Sequence, residues 1–169
     1  MGAPVPVTSA HGLGTSAHGL GAFDCGNDSL NTWLKKRALA NERDGASRTY
    51  VVCNDRQVVA YYCLATGAIV LKAAPGKVRR NMPDPIPVMV LGRLAVDRAW
   101  QGKNLGTALL ADAIKRTLSA AENAGIRAIV VHAISDEAKR FYADRGFTAS
   151  PVAPMTMMVT LKDAAANLD

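Results

Sequence analysis

A short turn between an apolar strand and a helix carries the residue types that bind a phosphate group. Gln101, Asn104 and Gly106 form the pattern Q-x-x-N-x-G within residues 99–110. Apolar residues recur at helical spacing after Gly106, so we expect a helix to begin near this glycine. The first amides of a helix have no intrahelical partner, and the helix dipole favours an anion beside them. The turn is therefore expected to bind a phosphate group.

Two regular elements must hold this turn in place. Residues 87–96 are mostly aliphatic, which is typical of a strand buried on both faces. The helix that follows the turn is expected to run until Gly125 supplies a C-terminal stop. Gly102-Lys103 is followed by Asn104 and not by Ser or Thr, so the turn is not a nucleoside-triphosphate loop. A turn whose glycines serve only tight packing is the alternative.

Length, composition and charge set the broad class of the protein. The chain has 169 residues, of which 49% are hydrophobic, and a formal net charge of +6. This length predicts a single domain over residues 1–169, with a core large enough to fold without a metal or a disulfide. The three cysteines are odd in number and lack C-x-x-C spacing, so neither a disulfide framework nor a zinc site is expected. The absence of a long apolar run and of a secretory signal predicts a cytoplasmic protein without membrane contact. The positive charge favours a polyanionic partner.

The N-terminal half of the chain predicts a helix and an antiparallel pair of strands. Residues 1–21 contain the heptad TSAHGLG twice and are expected to be partly flexible, so that a metal site at His11 and His18 is not expected. A helix capped by Asp28 or Ser29 should run to about residue 43. Strands are expected at residues 48–53 and 58–71, the second bent or interrupted near residues 66–67, and an extended connection rich in proline at 77–87.

The C-terminal half predicts a β-α-β unit and a second helix. Residues 127–133 should form a strand parallel to residues 87–96, because a helix connects them. Ser135 is expected to cap a helix over 136–145, and residues 155–161 to form a last strand. Residues 162–169 are expected to be a polar tail.

Two motifs resemble the hallmarks of the GNAT family of N-acetyltransferases. Residues 101–106 (QGKNLG) are similar to its pyrophosphate signature, Gln/Arg-x-x-Gly-x-Gly/Ala, with Asn104 in place of the first glycine. Residues 138–147 (AKRFYADRGF) are similar to its second pattern, A-x-x-F-Y-x-x-x-G-F. The order and separation of the motifs also match, and the resemblance covers roughly residues 45–161. It implies an α/β (α+β) GNAT fold, with a mixed central sheet that has parallel central strands and flanking helices.

Further segments resemble the branch of this family that includes the TacT and AtaT toxins. These segments are FDCG (23–26), LNTWL (30–34), RRNMP (79–83), LGRLAVD (91–97) and VHA (131–133). The resemblance implies a bacterial toxin that acetylates the α-amino group of aminoacyl-tRNA and so blocks translation. It also implies a ribbon-helix-helix antitoxin as partner, and a homodimer. One alternative is an acetyltransferase for a protein N-terminus, a lysine or a small amine. Another is a non-catalytic nucleic-acid-binding or regulatory module.

The resemblance also implies which residues act, with acetyl-CoA as acetyl donor and no metal. Tyr142 is the expected proton donor to the leaving thiolate, since a phenol stays protonated at neutral pH; a purely structural aromatic is its alternative. An α-amino group titrates near 8 and needs little help from a base. The expected cofactor-binding residues are Leu94, Ala95, Val96, Gln101, Gly102, Lys103, Asn104, Leu105, Gly106, Thr107 and Ser135.

Four basic residues are the candidates for holding the tRNA backbone: Lys36, Arg79, Arg80 and Arg93. Few aromatic residues stand among the basic ones, so contact with phosphates is favoured over stacking on bases. Asp97 and Glu137 lie at element ends, where carboxylates more often cap helices or pair with arginine than act as bases. His132 is expected to be a core or sheet residue.

Overall fold

The computed structural model describes residues 2–7 and 22–168, so the duplicated heptad with His11 and His18 lies outside the described residues. The strands in chain order are β1 (Val5–Pro6), β2 (Arg48–Asn54), β3 (Gln57–Ile69), β4 (Ile86–Val96), β5 (Ala128–His132), β6 (Thr148–Ala149) and β7 (Thr156–Thr160). The α-helices are α1 (Asp28–Lys36), α2 (Ala38–Asp44), α3 (Gly76–Arg79), α4 (Leu105–Ala120), α5 (Asp136–Ala143) and α6 (Leu161–Ala166). Among these described helices, none has the length and hydropathy needed to cross a bilayer.

The strands form one mixed sheet in the order β1-β2-β3-β4-β5-β7-β6. Strands β4 and β5 are parallel, as expected for two strands joined by a helix. The pairs β1–β2, β2–β3, β5–β7 and β6–β7 are antiparallel. The predicted mixed sheet with parallel central strands is confirmed.

The chain divides into two compact units, the first from Met1–Ala65 and Arg93–Asp112, the second from Thr66–Gly92 and Ala113–Asp169. In the first unit, Trp33 of α1 stacks on Tyr61 of β3, with ring centroids 5.9 Å apart. The other buried residues of this core are Val7, Phe23, Leu30, Leu34, Ala38, Val51, Val58, Cys63 and Ala95. The buried core of the second unit contains Ala74, Val78, Ile86, Val88, Ala128, Val130 and Met158.

The predicted first helix is two helices in the structure. Asn27, and not Asp28 or Ser29, is the N-cap of α1, because its side chain accepts a hydrogen bond from the Leu30 amide at 3.0 Å. The backbone of Arg37 leaves the helical region, with φ −120° and ψ −31°, and separates α1 from α2. The second helix ends at Gly45, whose left-handed φ of 74° is typical of a helix C-terminus.

Strand β3 runs without interruption through Thr66 and Gly67, where a bend or break was expected. A Cβ atom on Gly67 would lie 3.0 Å from the Val90 side chain, so this glycine allows close approach of the backbone to β4. The register with β2 shifts at the start of β3 and not near Gly67: Val52 pairs with Ala60 and Cys53 with Val58, so Val59 is the extra residue of a bulge on β3. The glycine therefore reflects packing between strands and not a turn.

The connections and the C-terminus also differ from expectation. The connection at 77–87 begins with the helical turn α3 and is not extended throughout. Strand β1 pairs with β2, although the sequence predicts no strand before residue 48. The expected polar tail at 162–169 is largely the helix α6, which Thr160 caps and which buries Ala164. This segment has two charged residues followed by three alanines and is too short to show a helical periodicity, which explains why the pattern did not predict it.

Candidate active site

The predicted phosphate turn lies in the first unit, between β4 and α4. The chain leaves β4 at Val96, makes a 3-10 turn at Arg98–Trp100 and enters α4 at Leu105. Gly102 and Asn104 both have left-handed backbones, with φ of 77° and 61°. Asparagine is one of the few residues other than glycine that accept this conformation readily. The departure from the family signature at Asn104 therefore keeps the backbone conformation that a glycine would adopt there.

Unpartnered amides line this turn. The Ala108 amide donates to the Asn104 carbonyl oxygen at 3.1 Å, which is the first bond of the α4 ladder. Within residues 2–7 and 22–168, the five amides of residues 102–106 donate no hydrogen bond. Successive free amides at a helix N-terminus form a concave site for an anion. These residues therefore fit the pyrophosphate of acetyl-CoA.

Asp97 anchors the start of the turn with both carboxylate oxygens. One oxygen accepts from the Ala99 amide at 2.9 Å, and the other accepts from the Asp24 amide at 3.0 Å. The Arg98 amide in turn donates to the Asp24 carbonyl oxygen at 2.8 Å. Asp97 is thus a capping residue, as the sequence analysis expected, and it also ties residues 97–99 to residue 24.

Gln101 makes the second connection between the turn and the N-terminal segment. Its side-chain nitrogen donates to the carbonyl oxygens of Cys25 and Val96, at 3.1 and 2.9 Å. Its predicted role in cofactor binding stays a prediction, but its donor nitrogen is already bonded to the protein backbone. We refer to residues 24–25, 97–98 and 101 with these bonds as the clasp.

The other predicted cofactor residues of the first unit flank the amides. Ala95 is buried, whereas Leu94 and Val96 at the end of β4 are half-buried. The Lys103 ammonium lies 5.0 Å from the centroid of the Trp100 ring and is exposed. Thr107 is exposed in the first turn of α4. The lysine adds positive charge next to the free amides.

Ser135 and Tyr142 lie together on α5 in the second unit. The Ser135 hydroxyl accepts a hydrogen bond from the Ala138 amide at 3.0 Å, so Ser135 caps α5 as predicted. Its additional role in cofactor binding stays a prediction. Glu137 lies exposed in the first turn of the same helix, where a carboxylate favours the helix dipole.

Tyr142 is packed between aromatic rings. Its side chain is 7% exposed, and its ring makes edge contacts with Phe141 and Phe147 at centroid distances of 5.1 and 5.4 Å. This burial raises the pKa of the Tyr142 phenol to about 12. Among the described residues, none makes a hydrogen bond with the Tyr142 hydroxyl. The phenol is therefore protonated at neutral pH and its proton is not donated to any of the described residues, as a proton donor requires.

The predicted nucleic-acid-binding residues are divided between the units. Lys36 is exposed at the end of α1, and Arg93 on β4 places its guanidinium 4.4 Å from the centroid of the Trp33 ring. Arg79 and Arg80 are exposed at the end of α3 in the second unit. Stacking on Trp33 fixes the orientation of the Arg93 guanidinium while leaving its donors available.

His132 lies within hydrogen-bonding distance of the neighbouring strand β7. The His132 imidazole is exposed at the end of β5, with Nδ1 3.0 Å from the Thr156 hydroxyl, so it is a sheet residue and not a core residue. In the part of the chain that the structure describes, no group of three or more His, Cys, Asp or Glu residues could hold a metal ion.

Sequence reasoning missed the residues that brace the turn. Asp24 accepts hydrogen bonds from the Gly26 amide at 2.9 Å and the Asn31 side chain at 3.0 Å, and these bonds lower the pKa of its carboxyl. The pair Asp24 and Gly26 is a local turn signal in the sequence. Its partners at residues 97–98 lie too far along the chain for any pattern to indicate.

Comparisons with known proteins agree with these features. A family model described as "Acetyltransferase (GNAT) domain" matches residues 45–149. The chain is 52% identical over 145 residues to a "tRNA-acetylating toxin" of Mycobacterium tuberculosis (strain ATCC 25618 / H37Rv), covering 86% of this chain and 87% of the relative.

Solved toxin structures have the same fold. AtaT complexed with acetyl-methionyl-tRNAfMet is 30% identical to this chain, with a TM-score of 0.82 over 93% of this chain and 96% of AtaT. A tyrosine-to-phenylalanine mutant of AtaT, bound to the C-terminus of the antitoxin AtaR and acetyl-CoA, is 27% identical, with a TM-score of 0.79 over 96% of this chain and 95% of the mutant.

Proposed function

The chain belongs to the GNAT acetyltransferase family, and from this premise we propose that it is a toxin that acetylates the α-amino group of aminoacyl-tRNA and so blocks translation. The observation that carries the proposal is the 52% identity, over 86% of this chain, to a tRNA-acetylating toxin. The acetyl-methionyl-tRNA bound by the structural neighbour AtaT supports the same class of product. The chain acts in the bacterial cytoplasm, where charged tRNA is found.

The turn binds the donor. The free amides of residues 102–106 hold the pyrophosphate of acetyl-CoA, and the exposed Lys103 adds positive charge beside them. The backbone of Leu94, Ala95 and Val96 at the end of β4 holds the pantetheine arm and stabilises the oxyanion. When bound, acetyl-CoA supplies the acetyl group as a thioester whose sulfur becomes the leaving group.

Tyr142 supplies the proton. Its phenol keeps the proton at Oη at neutral pH, because burial raises its pKa to about 12. We propose that it donates this proton to the leaving sulfur. The acceptor α-amino group, which titrates near 8, is partly neutral at cellular pH and attacks without a dedicated base.

The basic residues bind the tRNA backbone. The exposed Lys36, Arg79 and Arg80 and the stacked Arg93 are suited to phosphate contacts, since all four are cationic and none of them forms an ion pair with an acidic residue in the described part of the chain. Replacing Arg93 or Arg79 with Gln should weaken tRNA binding and reduce the slope of log K against log salt by about 1 for each lost contact. Arg56→Gln at the β2–β3 turn is the matched control. A slope unchanged by all of the substitutions would remove these residues from the tRNA site.

We further propose a ribbon-helix-helix antitoxin as the neutralising partner and a homodimer as the functional state. The complex of AtaT with the C-terminus of AtaR supports the presence of an antitoxin. Co-expression of the neighbouring small gene should relieve toxicity, and light scattering of the purified chain should give twice the mass of 17.8 kDa.

The test of the proposed function is to identify the acetylated product. Purified protein is incubated with labelled acetyl-CoA and either total charged tRNA, deacylated tRNA or a protein extract. We expect label on the charged tRNA alone, released with N-acetyl-amino acid on mild alkaline hydrolysis. Label on proteins or small amines, with none on charged tRNA, would instead assign the chain to another acceptor class.

A further inference from the structure

We propose that the side chain of Gln101 is a positioning residue, which braces the phosphate-binding amides against the N-terminal segment and does not itself bind the phosphates. The proposal rests on the acetyl-CoA site of the proposed function, but it is independent of the acceptor. According to the proposal, the Cys25 carbonyl and the Asp24 backbone support the acetyl-CoA site by holding the turn, although neither residue belongs to the family signature.

The geometry of the Gln101 amide carries the proposal. Its nitrogen donates to the carbonyl oxygens of Val96 and Cys25, at 2.9 and 3.1 Å, so both of its N–H groups have protein acceptors. One bond closes the turn onto the end of β4, and the other ties it to a residue 76 positions earlier. A phosphate oxygen is an acceptor and would need a donor that this nitrogen no longer offers.

The surrounding bonds form a second tie between the same two segments. The Asp24 amide donates to Asp97 at 3.0 Å, and the Arg98 amide donates to the Asp24 carbonyl at 2.8 Å. Gly26, with φ 91°, lets the Arg98 side chain pass closely, since a Cβ there would lie 3.2 Å from the Arg98 Nε atom. The turn is therefore fixed at residues 97–98 and 101, immediately before the free amides of residues 102–106.

The family signature is consistent with this role, because it allows glutamine or arginine at the first position. These two side chains share N–H donors, whereas only glutamine carries a carbonyl acceptor. Donation to backbone carbonyl groups is thus a task that both can perform. We therefore expect a Gln101→Arg variant of this chain to keep the hydrogen bonds that position the turn.

The experiment measures acetyl-CoA binding by calorimetry, which needs no acceptor. Gln101→Met removes the donor without adding charge, and we expect a Kd for acetyl-CoA about tenfold higher from the loss of two hydrogen bonds. Gln101→Arg should restore the Kd to within about threefold of the wild type. Gln57→Met, at the start of β3, is the matched control and should bind as the wild type does.

Hydrogen exchange and salt dependence separate a brace from a phosphate ligand. In the protein without acetyl-CoA, Gln101→Met should accelerate hydrogen exchange of the Asp24 and Arg98 amides. The bond from Gln101 to the Cys25 carbonyl holds the same two segments together, and without it the neighbouring bonds should open more often. The Kd of the Gln101→Arg variant should show the same salt dependence as the wild type. Unchanged exchange in Gln101→Met, or a steeper salt dependence in Gln101→Arg, would overturn the proposal in favour of direct phosphate contact. Wild-type affinity in Gln101→Met would overturn it outright.

Discussion

Asn104 is the residue at which the chain departs from the GNAT signature, and its backbone explains why the departure is tolerated. Its φ of 61° lies in the left-handed region, where glycine is favoured and asparagine is among the next most readily accepted residues. The exposed side chain makes no hydrogen bond with another described residue. The conformation of the turn, and not the identity of the residue, is what this position must supply.

Substitutions at Asn104 should therefore follow the backbone preference. Asn104→Gly should keep or slightly improve acetyl-CoA binding, whereas Asn104→Val should destabilise the turn by about 1–2 kcal/mol, because a β-branched residue is strained at positive φ. Calorimetric Kd values and thermal unfolding of the two variants check this order. A large loss of affinity in Asn104→Gly would show that the Asn side chain itself binds the donor.

Tyr142 combines a buried ring with an uncommitted hydroxyl. Tyr142→Phe should lower kcat by about 10²–10⁴, since only the donated proton is removed. The Kd for acetyl-CoA and the free energy of unfolding should change little, because the hydroxyl bonds to none of the described residues. Single-turnover rates, calorimetry and urea unfolding measure the three quantities. Full turnover in this variant would leave Tyr142 with only a structural role.

At the scale of elements, the sequence predicted the helices and strands whose position depends on local sequence patterns. The β4–α4–β5 unit and the α5 cap follow from apolar runs, a helical crossover and a serine at a helix start. The separation of α1 from α2 at Arg37 was not predictable, because arginine is a good helix former and nothing nearby breaks the pattern. The strand at 58–71 was predicted, but the interruption expected near residues 66–67 is absent, because Gly67 allows the backbone to approach the Val90 side chain and does not end the strand.

The cap of α5 allows the structural role of Ser135 to be separated from its predicted cofactor role. Ser135→Ala should destabilise the protein by about 1 kcal/mol through loss of the bond to the Ala138 amide, and Ser135→Asn should keep this stability. Binding is measured on the same variants. If Ser135 also contacts the pantetheine arm, Ser135→Ala will bind acetyl-CoA more weakly, and Ser135→Asn, which keeps a polar hydrogen-bonding side chain there, will not. Equal affinity in all three proteins would restrict Ser135 to capping.

At the scale of the whole molecule, the sequence predicted the order of the motifs but not the contacts that support them. Short patterns in the sequence predicted the phosphate turn and the helix that carries Tyr142. The bond from Asp24 to Asp97 joins residues 73 positions apart, and no local pattern specifies such a pairing. The position of Asp97 at the end of a strand predicted a capping role and not a catalytic base. Its real surroundings, two backbone amides, became known only from the structure.

The stability of the folded chain should decline at alkaline pH partly because of Tyr142. Burial raises the pKa of its phenol to about 12, whereas a phenol in the unfolded chain titrates near 10. Below pH 10 both states hold the proton, so the contribution to stability is complete. As pH rises from 10 to 12 the unfolded state loses its proton first, and unfolding becomes easier by up to about 3 kcal/mol. Turnover should show no loss from phenol ionisation below pH 10.

Urea unfolding of the wild type and of Tyr142→Phe between pH 8 and 11 measures this contribution. The buried Tyr61 phenol, whose pKa is also raised by burial, is present in both proteins and gives both a decline. The decline should be smaller in Tyr142→Phe, because one of the two buried phenols has been removed, and the difference between the proteins should appear only above about pH 9.5. Identical declines would mean that the Tyr142 phenol ionises as easily in the folded chain as in the unfolded one. Burial of the Tyr142 ring would then not raise the pKa of its phenol.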